Sequence, residues 1–239
     1  MNWASKWEVF WQTLSGEFYR NLFFEGLLNT IKIAVIGLII GIVIGTIIAV
    51  VKVMPKYKAL PRVLDKICEV YVALFRGTPM VVQLLVAYYV LLPALGVKGV
   101  EAVKVGVIVF GMNSGAYVSE IMRSGINSVD KGQMEAGRAL GLGYAVTMLK
   151  IVIPQAVKNI LPTLGNEFIT LIKETSVLSF ITVYDLYTAL GAIGSKNYDK
   201  VMPYLFMAAI YIVLVLIITF MIKGLEKVMA KSDRKKAGI

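Results

Sequence analysis

Thr163, Glu167, Thr170 and Glu174 stand at offsets of four, three and four, so on a helix all four project from one face. They interrupt a run from about 160 to 190 that is otherwise largely apolar. Carboxyl groups in such a run are costly unless they are neutralised, paired or in contact with water. Two readings of the stripe stay open. Arg76 or Lys173 neutralises the acids as a structural partner, or the acids face a wet cavity and attract a cationic amino group, with Asn113 and Ser114 adding neutral hydrogen bonds. Arg76 and Thr78 belong to the same candidate set, because they flank Gly77 at a helix break where a charge must face protein or water. Other chemistry is excluded. The chain has no histidine and Cys68 is its one cysteine, which removes an internal disulfide, a His/Cys metal cage and any cysteine–histidine or serine–histidine catalyst. No catalytic residue and no metal ligand is expected. No Gly-x-x-x-x-Gly-Lys-Ser/Thr loop occurs, so the chain is not expected to bind ATP itself.

The elements that must position these residues are membrane helices. The chain has 239 residues, 58% of them hydrophobic, with a mean hydropathy of +0.75, against about 45–50% apolar residues in soluble domains. At about 20 residues per span, one all-α membrane domain of about five transmembrane helices fits, without room for a soluble catalytic domain. The net charge of +10 is read as basic loops that fix orientation rather than as a nucleic-acid surface. Residues 1–26 are expected to form an amphipathic interfacial helix, with Trp3, Trp7, Phe10, Trp11, Leu14 and Phe18 on one stripe, although a helix docked on protein would show the same stripe; no cleaved signal is expected. The spanning domain covers 27–222. Its first span, 27–51, carries Gly37, Gly41 and Gly45 on one face for close approach of another helix, internal or from a second subunit. Lys52, Lys56, Lys58 and Arg62 then mark a cytoplasmic connection, which puts the N-terminus outside. Residues 62–95 would make a helix of about 50 Å, too long for a core of about 30 Å, and Gly77-Thr78-Pro79 breaks it. The third span is 103–126, the fourth 160–190 and the last 203–222, followed by a basic cytoplasmic tail, 223–239.

Between the third and fourth spans lies a charged cytoplasmic segment, about 127–154. It reads Glu135-Ala136-Gly137, three residues, Gly141, nine residues, then Ile151-Val152-Ile153-Pro154. Small residues on a short helix, with Gly141 and Gly143 to turn the chain, make a compact surface that a neighbouring chain can approach. The spacing resembles the EAA loop of ATP-binding-cassette importer permeases. Gly137 departs from that pattern's third alanine and Ile153 from its leucine. Residues 123–133 and Phe75-Arg76-Gly77-Thr78-Pro79 resemble the polar-amino-acid branch of that family, the histidine, arginine and glutamine permeases. So do Asn166-Glu167-Phe168 and Lys173-Glu174-Thr175-Ser176.

The resemblance covers about residues 26–223 and implies a MetI-like permease fold in a bacterial plasma membrane. It further implies that Glu135, Ala136, Gly137 and Gly141 couple to a separate ATPase, and that Arg76, Thr78, Asn113, Ser114, Glu167, Thr170 and Glu174 line a substrate pathway. The implied partners are two cytoplasmic ATPase subunits carrying ATP–Mg, a second copy or homologue of this chain, and an extracytoplasmic amino-acid-binding protein. An ion-coupled secondary transporter is the competing reading, since intramembrane acids and a broken helix suit it equally. Five spans do not divide into equal inverted halves, and an intramembrane enzyme lacks the side chains it would need.

Overall fold

A computed structural model describes residues 2–236, with side chains through residue 229; the basic tail residues Lys231, Arg234, Lys235 and Lys236 carry side chains outside the described set. No strand occurs among the described residues, so the all-α class holds. The helices are α1 (Trp3–Ser15), α2 (Glu17–Val53), α3 (Ala59–Gly77), α4 (Met80–Ala94), α5 (Ala102–Asn127), α6 (Lys131–Ala139), α7 (Tyr144–Ile181), α8 (Leu186–Lys196) and α9 (Val201–Lys236). Three of them, α2, α5 and α9, are long and apolar enough to cross a membrane alone. Two bent pairs, α3 with α4 at 106° and α7 with α8 at 57°, bring the number of passages to five if each pair is one span.

The glycine repeat of α2 is filled from inside the same chain. A Cβ on Gly37, Gly41 or Gly45 would meet Phe110 at 3.1 Å, Ser114 at 2.6 Å and Val118 at 2.6 Å. In return α5 offers Gly111 and Gly115 to Ile40 and Ile44 of α2. Two ridges of four-residue period thus interlock, and only hydrogen-sized side chains permit that approach. The most apolar window of α5 is 61% buried against 11% for α9, so α5 is the central post and α9 an outer helix. Around α5 the core gathers Ile33, Leu84, Phe110, Leu171, Leu178 and Ile181.

Three boundaries differ from expectation. The last helix runs from Val201 to Lys236, so the span expected at 203–222 and most of the basic tail are one helix. The N-terminal helix ends at Ser15, and α2 runs unbroken from Glu17, so residues 17–26 belong to the first long helix. The aromatic stripe also divides: Phe10 and Leu14 are buried against Leu186, Leu190, Ile193 and Met207, while all three tryptophans remain exposed. The fourth span is not a helix over 160–190. It begins at Tyr144, tightens into a 3-10 turn at Thr175–Ile181 and reverses through Thr182, whose φ of 64° ends the run before α8.

Candidate functional site

Glu167 projects from α7 into the bundle, and its carboxyl accepts a hydrogen bond of 2.9 Å from the fully buried Ser114 hydroxyl of α5. Gly41 leaves the space that Ser114 occupies. The stripe is not a uniform wet face. Ile160, Leu164, Glu167 and Leu171 form one buried ridge, whereas Thr163 and Thr170 are exposed and donate to their own helix at Asn159 and Asn166. Offsets of three and four describe both ridges equally, and packing against α5 selected the apolar one. Glu174 is half-buried at the end of the α-helical part of α7.

Neutralisation by a cation does not explain Glu167. Among the described residues no ion pair within 4.0 Å includes Glu167, Glu174, Arg76 or Lys173. Arg76 instead lies over the Tyr117 ring, 5.3 Å from its centroid, a cation–π contact. Glu120 shows the contrast. Lys52 reaches it at 2.6 Å and Arg123 at 2.6 Å, so this carboxylate is fully paired. Sequence spacing hid the triad, because Lys52 lies 68 residues away.

Asn113 has a different task from the one its type implied. Its amide donates to Gln83 Oε1 at 2.9 Å and to the Phe75 carbonyl at 3.3 Å. Both donors therefore serve the α3–α4 break rather than a ligand beside Ser114. The two hydrogens of Gln83 Nε2 are in turn shared among Phe75 O at 2.8 Å, Thr78 O at 3.0 Å and Thr78 Oγ1 at 2.9 Å. The Thr78 hydroxyl donates to Leu74 O at 2.8 Å, and the Tyr71 hydroxyl donates to Met112 O. Gln83 was the residue overlooked. Its signal was a polar side chain four positions after a proline in an apolar run. An apolar cavity of about 240 Å³ lies alongside, lined by Leu74, Phe75, Val86, Val109 and Met112.

The loop after α5 is a helix held at both ends. Asp130 caps α6 by accepting from Gly132 N at 2.6 Å. At the other end Gly141 has φ +82°, with its N–H bonded to Arg138 O and that of Leu142 to Gly137 O, the left-handed turn that glycine accommodates. Glu135, Ala136, Leu140 and Gly141 are exposed. Gly137 is not: a Cβ there would lie 2.5 Å from Thr147 Cγ2, so this glycine closes α6 onto α7 and contributes no outer surface. Tyr144 ties the loop to the end of α2 by donating to Val53 O at 3.1 Å.

Comparison with known proteins gives a consistent answer. A glutamine-transport permease by name, GlnP of Rickettsia conorii, is 41% identical over 215 residues, covering 89% of this chain and 96% of its own. The arginine transport system permease protein ArtQ of Bacillus subtilis is 39% identical, with 87% and 93% covered. The crystal structure of an amino acid ABC transporter with histidines superposes with a TM-score of 0.78 at 41% identity, covering 87% of this chain and 94% of the other. The MetNI methionine ABC transporter shares the fold with a TM-score of 0.70 at 18% identity, covering 89% and 98%. Residues 41–231 match the family described as binding-protein-dependent transport system inner membrane component, and the chain belongs to that family.

Proposed function

We propose that the chain is the membrane subunit through which an ATP-binding-cassette importer passes a polar amino acid, cationic ones included, with Glu167 as the recognition group. The observation that carries this reading is a carboxyl group deep in the bundle whose neighbour at hydrogen-bond distance is a hydroxyl, with no cation among the described residues paired to it. Buried carboxyls with a structural task have several partners, Glu120 from Lys52 and Arg123 and the helix-capping Asp185 from the Thr188 hydroxyl and the backbone N–H groups of Tyr187 and Thr188; Glu167, left to a single hydroxyl, can accept an ammonium group. Relatives named for glutamine and arginine transport support the class. Ser114 orients the carboxyl, while Thr170, Glu174, Thr78 and Arg76 border the route.

ATP–Mg and its hydrolysis belong to two cytoplasmic ATPase subunits docked on the exposed face of α6, where Leu140 is 82% exposed. A second copy or homologue completes the pathway. An extracytoplasmic amino-acid-binding protein delivers substrate to the side that carries the N-terminus, and the C-terminus lies in the cytoplasm of a bacterium. The ion-coupled alternative gains no support from the family match. Copurifying the complex and measuring which of L-glutamine, L-arginine and L-histidine raises ATP turnover tests the reading; stimulation is expected, and ATP turnover indifferent to every amino acid overturns it.

A further inference from the structure

The α3–α4 break creates a specific shortage of donors. In an unbroken helix the Phe75 carbonyl would accept from the N–H of residue 79, and Pro79 has none. At membrane depth such a gap is closed by protein groups or by water in a cavity, never by lipid. Two side-chain amides repair it here, Gln83 at 2.8 Å and Asn113 at 3.3 Å. The Gln83 amide also donates to Thr78 O and Oγ1, while its oxygen accepts from Asn113 at 2.9 Å. It thus joins α3 before the break, Thr78 at the break, and α5. The next residue of α5, Ser114, donates to Glu167.

We propose that Gln83 is a positioning residue of the transport pathway: with Asn113 it holds the 106° bend of α3–α4 against the stretch of α5 that carries Ser114, so the break and the Glu167 site move together. The inference rests on the pathway reading above, and Gln83 itself does not contact substrate. Glutamine suits the task because it supplies two donors and an acceptor on a stem long enough to reach back across the bend. Glutamate lacks the donors and leucine lacks both.

The test uses the full complex of this chain with its ATPase and binding-protein partners in liposomes, with radiolabelled L-arginine and L-glutamine as probes. Gln83→Leu and Gln83→Glu are expected to lower maximal uptake about tenfold, the effect of losing one well-made buried hydrogen bond, while KM changes less than about twofold. A reporter cysteine at Gly77, which has open space around it, is expected to label faster in both variants when Cys68 is replaced by serine. Assay temperature separates support of the fold from positioning: well below the unfolding midpoint of Gln83→Leu, uptake is expected to stay about tenfold low. Normal uptake in Gln83→Leu, or uptake restored to the parent level well below that midpoint, overturns the proposal. The labelling result does not depend on transport. If the parent complex carries no amino acid, the functional reading fails, while unchanged Gly77→Cys labelling sinks the clasp alone.

Discussion

At the scale of single residues, Glu120, Glu167 and Glu174 differ in their described partners: Glu120 is held by Lys52 and Arg123, Glu167 by a hydroxyl, and Glu174 by no ion pair. That difference predicts different phenotypes. Glu167→Gln preserves shape and removes the charge, so amino-acid selectivity measured by competition should shift away from cationic substrates; unchanged selectivity would return Glu167 to a packing role. Ser114→Ala should lower stability by about 1–3 kcal/mol, read from the unfolding midpoint, because it leaves a buried acceptor without its donor. Tyr198 predicts the opposite sign. It is 98% exposed at φ 51°, the position after a helix end that favours glycine. Tyr198→Gly relieves left-handed strain and loses no packing, so a gain of up to about 1 kcal/mol is expected from the same measurement.

Elements carry the next set of consequences. The limits of α5 and the break at Gly77-Thr78-Pro79 were legible because apolar run length, proline and glycine act locally. The partner of Gly37, Gly41 and Gly45 was not, since the repeat shows only that something comes close, and α5 lies some seventy residues on. The inward turn of Glu167, the commitment of Asn113 to Gln83 and the burial of Gly137 were hidden for the same reason: each depends on a contact between elements. The burial of Gly137 changes how α6 must be tested. Gly141→Leu strains the turn as well as blocking docking, so Leu140→Glu is the cleaner probe; copurification of the ATPase should be abolished with the protein still inserted, and normal copurification would remove α6 from the docking surface. For α1 the relevant variable is pH. Lys6 reaches Asp199 at 2.8 Å and the Val201 N–H reaches it at 3.0 Å, and the lysine contact above all holds this carboxyl below the ordinary aspartate value. A lowered folded pKa means that the stabilisation is complete above about pH 4, the unfolded value, and is lost as pH falls through the folded value. Because Trp3, Trp7 and Trp11 are the only tryptophans and all lie in α1, their fluorescence reports its docking. Wild type should be flat from neutral to mildly acidic pH and change in stronger acid, while Asp199→Asn should lose that acid transition; an identical transition in both would dissociate the ion pair from docking.

Across the whole molecule, two groups of contacts fix which ends share a side. At one end Lys6 meets Asp199, and Thr13 and Asn197 exchange hydrogen bonds at 3.1 and 3.0 Å, so α1 and the 197–200 turn lie together. At the other end Lys56 pairs with Asp65 at 2.5 Å and Tyr144 bonds Val53, so the α2–α3 connection and the α6 loop lie together. Between them runs α2, whose 37 residues make a rod of about 55 Å, longer than the apolar core of a bilayer. The proposed orientation then gives the sides: Lys52, Lys56, Lys58 and Arg62 crowd one short connection, as the positive-inside rule expects of a cytoplasmic loop, and on that proposal Trp3 and Asn197 lie outside. With Cys68 replaced by serine, a membrane-impermeant thiol reagent added to intact cells should label cysteines at Trp3 and Asn197 and reach those at Lys56 and Leu140 only after the membrane is opened. Because the contacts join the positions in pairs, orientation and fold fail differently. Labelling of Lys56 and Leu140 in place of Trp3 and Asn197 would invert the orientation and leave the fold intact. A split within either pair would contradict the packing of α1 on the 197–200 turn or of the α6 loop on α2.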